Sequence, residues 1–384
     1  MKTKYLILAN LFAKLKASEN LNREDRMKKK ILLSIATLSL LLFTACSEEK
    51  NMQTTEKENK LALSEEWDKV FPQSDKVIHS KVTFRNRYGI PLAADLYIPK
   101  KGTGKFRAVA VSGPFGAVKE QASGFYAQTL AENGFLTLAF DPSFTGESGG
   151  DVRNVASPDI NTEDFSAAVD YLVNRSDVDS SKVGILGICG FGGIGINAAA
   201  MDTRIKATVA STSYDMTRVT ANGYNDVNDN VDARQKMLES LNAQRSKDFA
   251  QGFYDRAGGN QKPEEQTEQT PQFLKDYSNY YMTKRGFHAR SVNSVGGWNK
   301  TSSLPFVNMP FLQRIGEIRN PVLLIHGEKA HSRYFSETMF QNMQKGHFPE
   351  NKELLIVPGA NHVDLYDNAE KIPFARIVEF FGRM

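Results

Sequence analysis

Residues 184–193 read GILGICGFGG, and no other stretch constrains the fold as tightly. The apolar run 182–188, KVGILGI, has the length and branching of a buried strand, and the small residues 192–201 open a helix. A strand that enters a helix through so glycine-rich a turn presents one side chain, Cys189, at a strained bend with the helix N-terminus behind it. Gly187 and Gly190 relieve crowding there. Many sequences of this shape carry Ser where this one has Cys189, and a small residue where it has Phe191. A buried, inert Cys is the plain alternative. A core thiol, however, does not require four glycines among residues 187–193. The helix dipole favours thiolate over thiol, so the turn predicts an activated nucleophile.

Strand-like and helix-like runs alternate around this turn. Strands are expected at 107–113, 135–141 and 205–212, helices at 122–134 and 165–175, and an antiparallel pair at 81–89 and 91–99. That rhythm predicts an α/β fold, a mostly parallel sheet with helices on both faces. It breaks from about 214 to 318 and returns in PVLLIHG (321–327) and ELLIVPG (353–359), before a final helix. The inserted hundred residues read as a helical cap over the strand ends, where open α/β sheets bind ligands. A plain surface insertion is the alternative. Within it, 257–272 is low in complexity and reads as a mobile loop.

The charge is unevenly placed. Residues 1–30 hold nine Lys/Arg and three Asp/Glu, and the whole chain is only +4, so the part beyond the leader is slightly acidic. Nucleic acid is therefore not an expected partner. Lys28, Lys29 and Lys30 precede a 13-residue apolar run (31–43) and then Thr44-Ala45-Cys46. This is a secretory signal pattern, too short to span a membrane comfortably. The stretch 43–46, FTAC, resembles a bacterial lipobox. The resemblance implies lipidation of Cys46 and a membrane-anchored exported lipoprotein, with Ser47 disfavouring inner-membrane retention. An ordinary secretory peptide is the alternative, and either Met1 or Met27 serves as the start. Residues 1–45 are read as leader, 46–66 as flexible tether and 67–384 as the folded domain. With Cys46 acylated, Cys189 has no disulfide partner.

His362, in PGANHVDLYD, follows a strand and a Pro-Gly turn, and so falls on a loop at the ligand-binding edge of the sheet. It is the candidate base, while His326 ends a buried strand. An oxyanion needs two backbone donors. One is Gly190, after the nucleophile. The other belongs to the loop 113–116, where Pro114 has no N–H, leaving Phe115 or Gly116; Phe115 is favoured.

From about residue 80 to 384 the chain resembles an α/β-hydrolase of the bacterial branch similar to dienelactone hydrolase. The pieces that carry the resemblance are GPFGAVKEQASGFYAQTLAENGF, AFDPSFTGESGG, GICGFGG, IHGEKAHSRYFSE and GANHVDLYD. It implies a Cys-His-acid triad, and a structural role for Asp141. Such families often place Asp three or four residues after the Gly of PVLLIHG; here those positions are Ala330 and His331. The nearest carboxylate, Glu328, is the expected acid, with Asp364 the competitor. Phe191, His331 and Tyr334 are expected in the substrate pocket. The cap's aromatic residues either line that pocket or form the cap's own core.

The expected function is hydrolysis of an ester, lactone or thioester in a small acyl substrate, through an acyl-thioester on Cys189. Acyl transfer at the same site is one alternative, and a non-catalytic binding lipoprotein that keeps the fold is another. No metal-ligand cluster, phosphate loop or nucleotide fingerprint is present in the sequence, so no cofactor is implied. The oligomeric state is not encoded in any of these motifs.

Overall fold

The computed structural model describes residues 61–102 and 104–384. The leader, the FTAC stretch with Cys46 and most of the expected tether lie outside the described residues. Ser64, inside that tether, already donates its amide to Glu147 at 2.7 Å.

Eight strands form the main sheet: β1 (Val77–Arg85), β2 (Pro91–Pro99), β3 (Phe106–Ser112), β4 (Leu136–Phe140), β5 (Val178–Ile188), β6 (Thr208–Ser211), β9 (Val322–Gly327) and β10 (Lys352–Val357). Between β6 and β9, the short strands β7 (Arg256–Ala257) and β8 (Trp298–Asn299) make a separate antiparallel pair. The strand order of the main sheet is β1-β2-β4-β3-β5-β6-β9-β10. The pairs β1/β2 and β2/β4 are antiparallel and the rest are parallel. All five residues of β4 and the last six of β5 are buried. Strands buried on both faces read as continuous apolar runs, and each large side chain so buried contributes about 1.5–3 kcal/mol.

Helices α1 (Ala122–Glu132), α2 (Pro158–Val173) and α3 (Gly190–Met201) connect the central strands. Helix α2 starts earlier than the apolar spacing predicts. Ser157 caps it by accepting the Ile160 amide, and Pro158 fits the first turn. The insertion between β6 and β9 carries α4 (Met216–Asn222), α5 (Val231–Gln251), α6 (Gln272–Met282), α7 (Val292–Gly296) and α8 (Ser303–Asn308). Helix α5 is capped by Asn230, ends at left-handed Gly252 and buries only Asp248. The low-complexity stretch contains a 3₁₀ turn at Pro263–Glu265. Helices α9 (Arg333–Gln344), α10 (Asp364–Asp367) and α11 (Phe374–Gly382) complete the chain.

A buried charge cluster ties the insertion to the sheet domain. Lys119 bonds Asp141 at 2.9 Å, Glu147 at 2.6 Å and Glu120 at 2.7 Å. Arg290 of the insertion reaches Glu120 at 2.8 Å and Asp68 at 2.7 Å. Asp141 also accepts the amides of Lys119 and Glu147. Its carboxylate therefore holds the 141–147 turn, away from the site described below. Removing one partner of such a buried set costs about 3–5 kcal/mol, because a charge is left uncompensated.

Candidate active site

Parallel strands end at one edge of the sheet, and the candidate residues sit just beyond those ends. Cys189 follows β5, the 113–116 loop follows β3, Thr212 follows β6, residues 328–332 follow β9 and His362 follows β10. Cys189 has φ +57°, ψ −125°, a conformation that non-glycine residues avoid. Three backbone hydrogen bonds hold it: its N–H donates to Ser211 O at 2.9 Å, and its carbonyl accepts from Gly192 at 2.9 Å and Tyr214 at 3.0 Å. The glycines answer close approaches. A Cβ on Gly187 would lie 2.0 Å from the Phe191 carbonyl oxygen, and one on Gly190 would lie 2.8 Å from Phe115 Cβ.

The backbone amides of Phe115 and Gly190 and the Tyr366 hydroxyl lie around the buried Cys189 sulfur and favour its thiolate form. The two amides are those that the sequence assigns to the oxyanion. Gly116 supplies neither. The expected lowered thiol pKa is not found. Burial pushes the thiol up, and the two amides and the Tyr366 hydroxyl, which would favour a thiolate, only partly offset it. In the resting site Cys189 is a thiol, because desolvation outweighs the helix N-terminus.

His362 is buried, and burial together with His331 and His326 holds its pKa well below the usual imidazole range. Its Nε2 lies 3.0 Å from the Tyr366 hydroxyl, which also bonds the thiol. Tyr366 thus stands between the thiol and the His362 imidazole. It was not singled out in the sequence, although it lies four residues after His362, one helical turn on.

The acid is where sequence and structure part. His362 Nδ1 contacts the hydroxyls of Ser332 at 2.6 Å and Thr212 at 2.8 Å. Glu328 is exposed, and its carboxylate accepts the Gly359 amide at 2.8 Å. Asp364 closes a local turn with Asn361. Among the described residues, no carboxylate hydrogen-bonds His362. A Glu at the end of β9 points along the surface toward the β10 turn, so its extra methylene does not bring it to the imidazole. Glu328→Gln is expected to leave kcat/KM within about a factor of three, since such exposed changes stay near ~0.5 kcal/mol. A tenfold loss in steady-state assays would return the acid role to Glu328.

A cavity of about 740 Å³ opens over Cys189. Phe115, Tyr214, Tyr277, Tyr281, Trp298 and Tyr366 are among its lining residues, so aromatic residues of the insertion do face it. Phe191 does not line it. That ring is buried against Phe165 (6.3 Å) and Phe115 (6.4 Å), so it supports the 113–116 loop from beneath instead of shaping the pocket. His331 sits behind the wall, bonded to Tyr214 Oη at 2.5 Å and stacked on Phe273 at 4.1 Å. Its imidazole faces a smaller cavity shared with His362. Burial lowers its pKa to about 4. Tyr334 is outside the main cavity; its hydroxyl accepts the Asn225 amide and Arg218 covers its ring. Among the described residues, Lys300 is the one charged residue lining the cavity, and no carboxylate does so.

Residues 88–364 match the model of the X-Pro dipeptidyl-peptidase (S15) family. An uncharacterized Pseudomonas aeruginosa protein, PA2218, is 56% identical over 84% of this chain and 85% of its own. Its crystal structure superposes with a TM-score of 0.80, covering 84% of this chain and 99% of that one. A structure described as an α/β hydrolase, GrgF from a Penicillium species, superposes at 0.62 with 19% identity, covering 80% and 98% of the two chains. The fold is thus that of the α/β-hydrolases. A thiohydrolase from Aspergillus aculeatus, aneE, is 30% identical over 36% of this chain and 42% of its own.

Proposed function

We propose that this chain, which belongs to the X-Pro dipeptidyl-peptidase (S15) family, is a cysteine-dependent acyl hydrolase acting on thioesters or similarly activated acyl groups. The observation that carries the reading is the Cys189 sulfur at the bend, held by the Phe115 and Gly190 amides beside Tyr366 and His362. In the proposed reaction the thiol proton passes to the Tyr366 oxygen as the Tyr366 proton moves to His362 Nε2. The sulfur attacks the carbonyl carbon. The carbonyl electrons move to oxygen, which takes over the two amides as the sulfur leaves them. Collapse expels the leaving group, which recovers the proton. Water, deprotonated through the same path, then releases the acid and restores the thiol.

Two features favour an activated acyl group over a dipeptide. An amine leaving group must be protonated as it departs, whereas a thiolate leaves without that help. With no carboxylate on Nδ1 and a depressed pKa, His362 is a weak holder of that proton. A free α-ammonium also finds no carboxylate in the cavity wall and meets Lys300 instead. The partial likeness to a thiohydrolase supports the same reading. Neutral acyl thioesters should exceed X-Pro dipeptide amides by at least ~10²-fold in kcat/KM, the scale of a mismatched buried charge. The reverse order in a side-by-side assay would make the chain a dipeptidyl-peptidase.

A further inference from the structure

Behind His362 runs a buried chain of uncharged polar groups that the proposed reaction does not use. Ser332 Oγ is 2.6 Å from His362 Nδ1 and 3.0 Å from His326 Nε2, and His326 Nδ1 is 2.7 Å from Ser336 Oγ. Ser332, His326 and Ser336 are each fully buried. Thr212 flanks the chain, 2.8 Å from His362 Nδ1 and 3.4 Å from His326 Nε2. Its backbone is left-handed at φ +48°, which a β-branched residue adopts only when its surroundings impose it. The groups facing His362 are Tyr366 on α10, Tyr277 on α6, Tyr214, His331, His326 and the two hydroxyls. Among the described residues, none of the hydrogen bonds to this chain comes from a carboxylate.

Donor counting gives the chain a direction. Tyr366 has one proton. If it is donated to His362 Nε2, the imidazole proton sits on Nδ1 and goes to Ser332 Oγ. The Ser332 proton is then free for His326 Nε2, and the His326 Nδ1 proton goes to Ser336. Each donor from Tyr366 to His326 then has an acceptor, and His362 presents its Nε2 lone pair to Tyr366.

We propose that Ser332 is the positioning residue of His362 in place of a triad carboxylate, and that its hydroxyl relays a proton to His326. The functional role rests on the acyl-hydrolase reading, whereas the relay itself does not. When Cys189 loses its proton, His362 gains one at Nε2. The Nδ1 proton then shifts to Ser332 Oγ as the Ser332 proton moves to His326 Nε2. The single positive charge is spread over two imidazoles, no proton leaves the site, and the shift reverses on collapse.

Two measurements on the intact protein test this without an acyl substrate. Nitrogen-15 NMR at neutral pH should show both His362 and His326 protonated on Nδ1. An Nε2–H tautomer at either residue overturns the direction of the chain. Alkylation of Cys189 by iodoacetamide, followed against pH, reads the relay. Ser332→Ala should slow it ~10–100-fold at neutral pH, the cost of a lost hydrogen bond to a charged group, and converge on wild type at high pH. Ser332→Thr keeps a hydroxyl and should recover most of the rate, and His326→Gln should act in the same direction as Ser332→Ala. An unchanged pH profile in Ser332→Ala overturns the proposal, and wild-type behaviour of His326→Gln ends the chain at Ser332 and removes the charge sharing. If these results hold but no acyl compound is turned over, the acyl-hydrolase reading fails and the relay stands.

Discussion

Cys189→Ala abolishes acyl turnover, a loss of about 10⁴-fold or more, because residues that act as one catalytic unit fail together. The change removes one sulfur atom from a bend whose backbone is held by Ser211, Gly192 and Tyr214, so the fold persists and circular dichroism is unchanged. Intact-mass trapping with a slow thioester should show an acyl adduct on wild type and none on the variant. The pH profile distinguishes this site from a preformed thiolate–imidazolium pair. Burial raises the thiol pKa above its ordinary range and holds that of His362 well below its own. His362 stays a neutral base throughout, and free thiolate adds to the general-base route only as pH approaches the raised thiol pKa. The rate with a stable thioester therefore lacks an acid limb near ~6.5, where an ordinary imidazole titrates, and rises further only toward the thiol pKa. A fall in rate above neutrality, as an imidazolium is lost, would show that the ion pair exists at rest. An acyl adduct on Cys189→Ala would remove the assignment.

The residues that declare themselves in the sequence are those whose roles depend on backbone. The glycines around Cys189 are required because the chain passes within contact distance of itself there, and that requirement is written in residue type. The two amides over the sulfur follow in the same way. Gly190 is fixed by its place after the bend, and Pro114 cannot donate. His362 stands at the right strand end. What stayed hidden depends on where side chains turn after the backbone is laid down. Phe191 looked like a pocket residue because it is large at a position that is usually small, yet Phe165 offers its ring an apolar seat beneath the helix. Glu328 looked like the acid because it was near in sequence, yet the Gly359 amide takes its carboxylate first. Ser332 carries no signal, since a serine in a loop is ordinary until two histidines close on it, one from β9 and one from the loop after β10. The thiol pKa is hidden for a related reason. The dipole of α3 is visible in sequence, whereas the burial that raises the pKa depends on how segments distant in sequence close over the sulfur.

Tyr366→Phe separates a proton relay from a mere wall. The ring is fully buried, against Tyr280 at 5.0 Å and His362 at 5.4 Å, so losing one oxygen leaves the packing in place. What is lost is the link between the base and the thiol, a hydroxyl 3.0 Å from His362 Nε2 that also lies by the sulfur and neighbours Tyr281. A phenol oxygen has two lone pairs and one proton. It can accept from the thiol while donating to the imidazole, which satisfies both groups. Phenylalanine leaves a buried imidazole nitrogen and a buried thiol both unpaired. The rate of acylation should fall ~10²–10⁴-fold, the range for loss of general acid–base transfer. Substrate affinity should change little, because the neighbouring cavity wall of Tyr214, Tyr277, Tyr281 and Trp298 is untouched. Single-turnover kinetics with a chromogenic thioester separates the two effects. A loss confined to KM would make Tyr366 a binding residue, and a variant acylating within a factor of a few of wild type would mean that His362 meets the thiol directly once substrate is bound.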